Sequence, residues 1–156
     1  MDIDRSFIER AITLATESVR SGGGPFGAVI TRDDRLVAEA GNRVVLLKDP
    51  TAHAEVLAIR KAAKALGTHK LTGCVLYASC EPCPMCLAAI YWSGIRRVVY
   101  SSDRNDAAAA GFDDRDIYGE ICMDQAERSV SFRQVHVQGA GEPFKLWNDM
   151  ESKIVY

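Results

Sequence analysis

Cys74-Val75-Leu76-Tyr77-Ala78-Ser79-Cys80-Glu81-Pro82-Cys83-Pro84-Met85-Cys86-Leu87-Ala88-Ala89-Ile90-Tyr91-Trp92 passes from an apolar stretch into a helix-forming one with a break at Glu81-Pro82. Cys74 to Ser79 reads as a strand and Pro84 to Trp92 as a helix. Pro84 fits the first helical position, where its missing N–H would have no partner anyway, so Cys83 becomes a plausible N-cap. Arg96 to Tyr100 is the next strand, and strand, helix, strand in this order implies a parallel crossover. Upstream, Ala52 to Leu66 reads as a helix, and Phe26 to Thr31 and Leu36 to Leu46 as strands joined through Arg32-Asp33-Asp34-Arg35 in an antiparallel hairpin. Asn42 falls within the second of these strands. Phe7, Ala11, Leu14, Ala15 and Val19 recur at helical spacing, so residues 3 to 20 form an amphipathic helix that ends at Ser21-Gly22-Gly23-Gly24-Pro25 and covers the sheet.

Downstream of Tyr100 the pattern loosens. Ser101 to Gly119 reads as an active-site loop with short helical turns, Ser131 to Val137 alternates like an edge strand, and Pro143 to Lys153 reads as a last helix. The expected fold is α/β, a mixed sheet with helices on both faces. Functional residues belong off the ends of the central strands, where two helices begin.

The same stretch carries chemistry. Zinc favours a tetrahedron of nitrogen and sulfur, and three protein ligands rather than four leave a corner for water. His53, Cys83 and Cys86 count to three. Cys83 and Cys86 are three apart and share one side of a helical turn. Glu55 lies about 200° round a helix from His53, so the two cannot share a face of a long helix and converge only beyond its first turn. Both ligand segments read as helix beginnings, whose partial positive charge favours thiolate over thiol. A carboxylate at Glu55 is placed to move protons during attack on an amidine-like ring carbon, with ammonia leaving. His-x-Glu followed by Pro-Cys-x-x-Cys is a recognised signature of zinc nucleobase deaminases.

Three other readings use the same residues. A thioredoxin-like redox protein would employ Cys83 and Cys86, but leaves His53 and Glu55 unexplained. An iron-sulfur cluster would use Cys80, Cys83 and Cys86 with Cys74, but Ile90 stands where the next ligand is due. A structural zinc site would take Cys80 as a fourth ligand.

Length and composition bound the function. The 156 residues suit one domain, and 47% hydrophobic residues suffice for a substantial core. A formal net charge of −2 argues against a nucleic-acid partner, because such proteins carry a basic excess. The apolar runs fall short of the roughly 20 residues that span a bilayer. Five cysteines, with Met1-Asp2-Ile3-Asp4-Arg5 wrongly charged for a signal peptide, point to a reducing, cytoplasmic setting. A small uncharged substrate fits this balance.

Gly24-Pro25-Phe26-Gly27-Ala28-Val29-Ile30, Asp49-Pro50-Thr51-Ala52-His53-Ala54-Glu55-Val56 and Ser79-Cys80-Glu81-Pro82-Cys83-Pro84-Met85-Cys86 resemble the cytidine-deaminase-like superfamily. Ala89-Ile90-Tyr91-Trp92, Ala110-Gly111-Phe112-Asp113-Asp114 and the terminal Tyr156 resemble its bacterial guanine deaminase branch. The resemblance implies a three-layer α-β-α sandwich with a five-stranded mixed sheet, and hydrolysis of guanine to xanthine and ammonia. It places one zinc ion per subunit on His53, Cys83 and Cys86, with Glu55 as proton shuttle and Asp114 as a second acid. It assigns Asn42 and the Ala54 backbone to the purine, with Phe26, Trp92 and Tyr156 around the base. It also implies a homodimer in which the segment from about 140 to 156 is exchanged between subunits. Guanosine, cytosine and tRNA adenosine remain alternative substrates, because pocket contacts and not the metal choose the ring. On the residues alone, Asp113 and Asp114 are equal candidates for a role, and Phe26, Asn42 and Trp92 have ordinary packing or turn readings.

Overall fold

The structure is a computed structural model that describes residues 2–156, so Met1 of the N-terminal stretch discussed above lies outside the described residues. Residues up to Arg115 form one compact unit and residues from Asp116 to Tyr156 a second.

The first unit is built on four strands in the order β2-β1-β3-β4. Helix α1 (Ile3–Arg20) leads into β1 (Gly27–Arg32) and β2 (Arg35–Gly41), a hairpin whose two-residue turn puts Asp33 and Asp34 in the left-handed region that such turns demand. A single turn α2 (Val44–Leu47) and α3 (Ala54–Leu66) follow, then β3 (Cys74–Cys80), α4 (Pro84–Ser93) and β4 (Arg97–Ser102). β1 pairs antiparallel with both β2 and β3, and β3 pairs parallel with β4, so the expected crossover through α4 is present. Two short helices, α5 (Arg104–Ala109) and α6 (Arg115–Ile121), occupy the stretch expected to be a loop with helical turns.

Alternate residues of β1 and β3 feed two apolar clusters, and alternation along a strand means opposite faces of the sheet. Ala28, Ile30, Leu76 and Ala78 pack with Ala54, Ala58 and Ala62 of α3 and Ile90 of α4. Val29 and Tyr77 pack with Ala11 and Leu14 of α1. Alanines dominate the α3 face, which lets that helix lie close to the sheet.

Two expectations are corrected. The strand expected over Leu36 to Leu46 stops at Gly41: the Asn42 N–H still reaches the Phe26 carbonyl, but the next N–H, that of Arg43, bonds the Ala52 carbonyl and the chain coils into α2. The Val44-Val45-Leu46-Leu47 run has strand-like composition, but that preference depends on having a pleated surface to pack on. The sheet has four strands and not five: Ser131 to Val137 carries no strand, since alternation marks a face but supplies no ladder partner.

The second unit holds the rest of α6, one 3-10 turn at Gln125–Glu127 and α7 (Glu142–Asp149). Arg128 organises it by donating to the carbonyls of Glu120, Ile121 and Met123, with its guanidinium over the Phe132 ring. Phe144, Leu146, Ile154 and Val155 are exposed. No described helix is long and apolar enough to cross a membrane.

Gly27 shows how closely α1 meets the sheet. A Cβ there would lie 2.2 Å from the Ala11 carbonyl oxygen and 2.7 Å from the Ala15 nitrogen, both backbone atoms that cannot swing aside. Gly27→Ala should therefore destabilise the protein by about 2–3 kcal/mol or more, read as a lower midpoint in urea denaturation. An unchanged midpoint would show that α1 can slide.

Candidate metal centre and substrate pocket

Strand register brings the site residues to one end of the sheet. Gly27 at the start of β1 faces Gly41 at the end of β2, and Ala28 faces Ala78 near the end of β3. Phe26, Asn42 and the Glu81-Pro82-Cys83 connection all leave the sheet there. The Arg43 N–H bonds the Ala52 carbonyl at 2.9 Å, which draws the start of α3 in beside Asn42. Asp49 locks the intervening turn by accepting from the Thr51 N–H at 2.8 Å and the Thr51 hydroxyl at 2.7 Å.

His53 is the N-cap of α3 in an extended conformation, and Cys83 is the N-cap of α4 with Pro84 behind it. Because His53 stands just off the helix and Glu55 in its first turn, the two converge as expected. His53 Nδ1 lies 3.5 Å from Cys83 Sγ and 3.6 Å from Cys86 Sγ. A tetrahedral ion with Zn–N of roughly 2.05 Å and Zn–S of roughly 2.3 Å would hold nitrogen and sulfur about 3.6 Å apart. The three donors, all within 4.8 Å of one another, thus fit zinc. Cys80 is not among them. Its buried thiol donates to the Asp103 carbonyl at 3.4 Å, and burial pushes its pKa up to about 11. Neither a four-ligand structural site nor an iron-sulfur set is assembled among the described residues.

The electrostatics call for a cation at this point. Hydrogen bonds from the Cys86 thiol and from His53 lower the Cys83 pKa, while the hydrogen bond to Cys83, burial and the Glu55 charge drive Cys86 up. Two thiolates this close need positive charge between them before both ionise. Hydrogen bonding to Cys83 likewise raises the His53 pKa.

Glu55 keeps only 6% of its surface exposed and accepts from the Cys86 thiol at 3.4 Å. Burial is the largest influence on its carboxyl and pushes the pKa up, aided by the Cys83 charge and opposed by hydrogen bonds and His53. A carboxyl moved upward from its ordinary range is suited to giving and taking protons near neutrality.

The structure separates the two aspartates that the sequence left equal. Asp113 is tied to Arg115, accepting from its Nε at 2.9 Å and its N–H at 3.1 Å, which holds its pKa down to about 2. Asp114 is half-buried, and its carboxyl is pushed up first by burial and then by the Cys83 charge. Only Asp114 senses the metal ligands.

Asn42 is buried and oriented by its neighbours. Its Oδ1 accepts from the Gly24 N–H at 3.3 Å and the Val44 N–H at 3.2 Å, and its own carbonyl accepts from the Ser18 hydroxyl at 2.8 Å. Its Nδ2 is the group left to meet a ligand, so Asn42 offers donors and not the donor and acceptor together expected of an amide. Ala54 is fully buried at the first position of α3, which has no side-chain cap. Phe26 meets Phe112 edge-on, centroids 5.0 Å apart, a contact between distant segments that no periodicity in the sequence picks out. Trp92 is not brought to this group. It is 64% exposed and nine residues beyond Cys83, about 13 Å along α4. Tyr156 ends the second unit and is 70% exposed.

Comparison with known proteins agrees with this geometry. The zinc-binding region of cytidine and deoxycytidylate deaminases matches residues 1–102. The guanine deaminase of Bacillus subtilis is 52% identical over 152 residues, 97% of either chain. Its crystal structure superposes with a TM-score of 0.94 over 97% of this chain and 98% of that one. A tRNA-specific adenosine deaminase of Aquifex aeolicus is 43% identical, over 62% of this chain and 64% of its own length. A solved structure in complex with 2,6-diaminopurine is 36% identical, with a TM-score of 0.68 over 71% of this chain and 62% of that one.

If three donors hold the ion, Cys86→Ala should purify with less than about a tenth of the wild-type zinc, since even loss of a group that merely hydrogen-bonds a ligand weakens such sites about 10- to 100-fold. Cys80→Ala should keep its zinc in full. Elemental analysis of both decides, and zinc loss from the Cys80 variant would point to a fourth ligand.

Proposed function

The chain belongs to the zinc-binding deaminase family of cytidine and deoxycytidylate deaminases, and from that premise we infer that it hydrolyses the amino group of guanine, giving xanthine and ammonia. The observation that carries this reading is the convergence of His53, Cys83 and Cys86 beside the buried carboxyl of Glu55. Guanine itself rests on the likeness to the Bacillus subtilis enzyme, which extends over nearly the whole chain, whereas the likeness to tRNA deaminases covers about three fifths of it.

Zinc held by His53, Cys83 and Cys86 would supply a Lewis acid that makes water a nucleophile near neutral pH. Glu55 takes a proton from the attacking water and gives it to a ring nitrogen, then takes the proton of the new hydroxyl and gives it to the departing amine, so both water protons end on nitrogen and the C–N bond breaks as the carbonyl forms. Asp114, with its raised pKa, serves as the second acid. Asn42 Nδ2 donates to an acceptor on the purine, the Ala54 N–H helps hold it, and Phe26 lends a flat apolar surface. Burial of Glu55 excludes competing solvent from the proton path.

The fold is a three-layer α-β-α arrangement, supported by the two apolar clusters on opposite faces of the sheet. The whole chain, 1–156, works as a single deaminase domain in a cytoplasmic homodimer, with one zinc ion per subunit and no nucleic-acid or membrane partner. Subunits exchange the segment from about 140 to 156, so that Tyr156 completes the pocket around the base, and Trp92, at the far end of α4, joins that pocket only in the assembled dimer. The exposure of Phe144, Leu146, Ile154 and Val155 supports this, because apolar side chains so placed gain from cover.

Ammonia release from guanine, guanosine, cytosine, cytidine and adenine tests the reading, with guanine expected to be turned over fastest. Glu55→Gln should keep its zinc and lose at least about a thousandfold in kcat, while Asp114→Asn should lose about 10- to 100-fold with zinc unchanged. A Glu55→Gln enzyme of normal activity would overturn the assigned mechanism, and activity that survives both zinc removal and loss of His53 would return Cys83 and Cys86 to redox chemistry. Removing Tyr156 should raise KM for guanine several-fold, and unaltered kinetics would take the tail out of the site.

A further inference from the structure

Glu81 lies between the end of β3 and the Cys83–Cys86 turn, and it is bound to a segment on the far side of β4. Its carboxylate accepts from the Arg104 backbone N–H and Nε, each to Oε2 at 3.3 Å, and from Arg104 Nη2 at Oε1. Its own N–H bonds the Ser102 carbonyl at 2.8 Å, and next to it the Cys80 thiol donates to the Asp103 carbonyl. Residues 80–81 are therefore stitched to residues 102–104 by backbone, thiol and carboxylate together.

Arg104 is the first residue of α5, whose start is fixed by a reciprocal cap between Asp103 and Asp106. The helix is short and stiff, and its other end closes through the Phe112 N–H to the Ala107 carbonyl at 2.9 Å. Phe112 then rests edge-on against Phe26, and Asp114 is two residues further on. The chain thus runs as a short rod from the Glu81 clasp to Asp114. Asp114 also feels Arg104 and Glu81 with opposite signs, as a group near both would. The clasp is partly shielded, with Glu81 keeping 20% of its side-chain surface, so it is less weakened by solvent than an open surface pair.

We propose that the Glu81–Arg104 ion pair is a positioning device for the deamination inferred above: it fixes the rod α5, and through it where the Asp114 carboxyl stands relative to the Cys83–Cys86 ligand turn. Neither residue touches substrate in this scheme. The pair acts on the proton-transfer geometry, where a displacement of about 1 Å costs up to a hundredfold in rate.

The test measures guanine turnover, zinc content and thermal midpoint for Arg104→Ala and Glu81→Gln, alone and in the Asp114→Asn background. Glu81→Gln keeps a neutral acceptor for the Arg104 backbone and guards against simple misfolding. Each single variant should lose roughly tenfold in kcat with KM within about twofold, at wild-type zinc content and thermal midpoint. With Asp114→Asn already present, Arg104→Ala should cost less than about twofold more, because positions acting through one group do not add. Arg104→Lys should recover part of the loss. Full kcat in both single variants, losses that follow zinc content, or losses that add fully to Asp114→Asn would overturn the proposal. Wild-type protein assayed alongside keeps the two readings apart. An inactive wild type overturns the guanine assignment and the pair's role together, whereas an active wild type with unaffected variants overturns the pair's role alone.

Discussion

Two thiols and an imidazole crowded to within hydrogen-bonding distance set the terms for the rest of the molecule. Left to themselves the sulfurs oppose each other's ionisation, as the divergent shifts of Cys83 and Cys86 show. A divalent cation reverses that opposition and turns a repulsive cluster into a binding free energy. Placing the cluster at two helix starts adds partial positive charge from unpaired backbone N–H groups. The cost is carried by Glu55, a carboxyl buried next to sulfur, and a buried acid is tolerated because its chemistry is needed there.

Much of this was legible in the sequence because the informative signals are local. Proline after a cysteine marks a helix start without reference to anything distant, and the pairing of His53-x-Glu55 with Cys83-x-x-Cys86 favours a three-ligand zinc site over the redox and iron-sulfur readings before any fold is known. The hairpin, the crossover and the first helix follow from periodicity that holds within each segment. What escaped was nonlocal. Val44-Val45-Leu46-Leu47 looks like strand, but past Asn42 the Arg43 N–H turns to the Ala52 carbonyl, a partner from a distant turn, and the ladder ends. Ser131 to Val137 alternates correctly, yet a strand exists only with a neighbour, and sequence pattern does not identify neighbours. The Glu81 to Arg104 clasp joins residues 23 apart, which no spacing rule connects, although Asp103-x-x-Asp106 could have been read as a helix start.

The aspartate pair illustrates the same division. Adjacent in sequence and alike in chemistry, Asp113 and Asp114 differ only in what surrounds them. Arg115, two positions beyond Asp113, claims its carboxylate. Asp114 is turned toward cover and negative sulfur, so its proton is held more firmly. The difference between them is set by environment, on which composition is silent.

The saturated carbonyl oxygen of Asn42 carries a consequence for selectivity. With both lone-pair directions engaged by main-chain amides, the carboxamide is unable to flip and can only give hydrogens away. Every purine has lone pairs on its ring nitrogens, adenine no less than guanine, so the contact proposed for Nδ2 would orient a bicyclic heteroaromatic without telling one from another. Discrimination must then fall on whatever meets the exocyclic substituents. A change of preferred nucleobase could thus arise through those contacts while Asn42 and the three metal donors stay as they are.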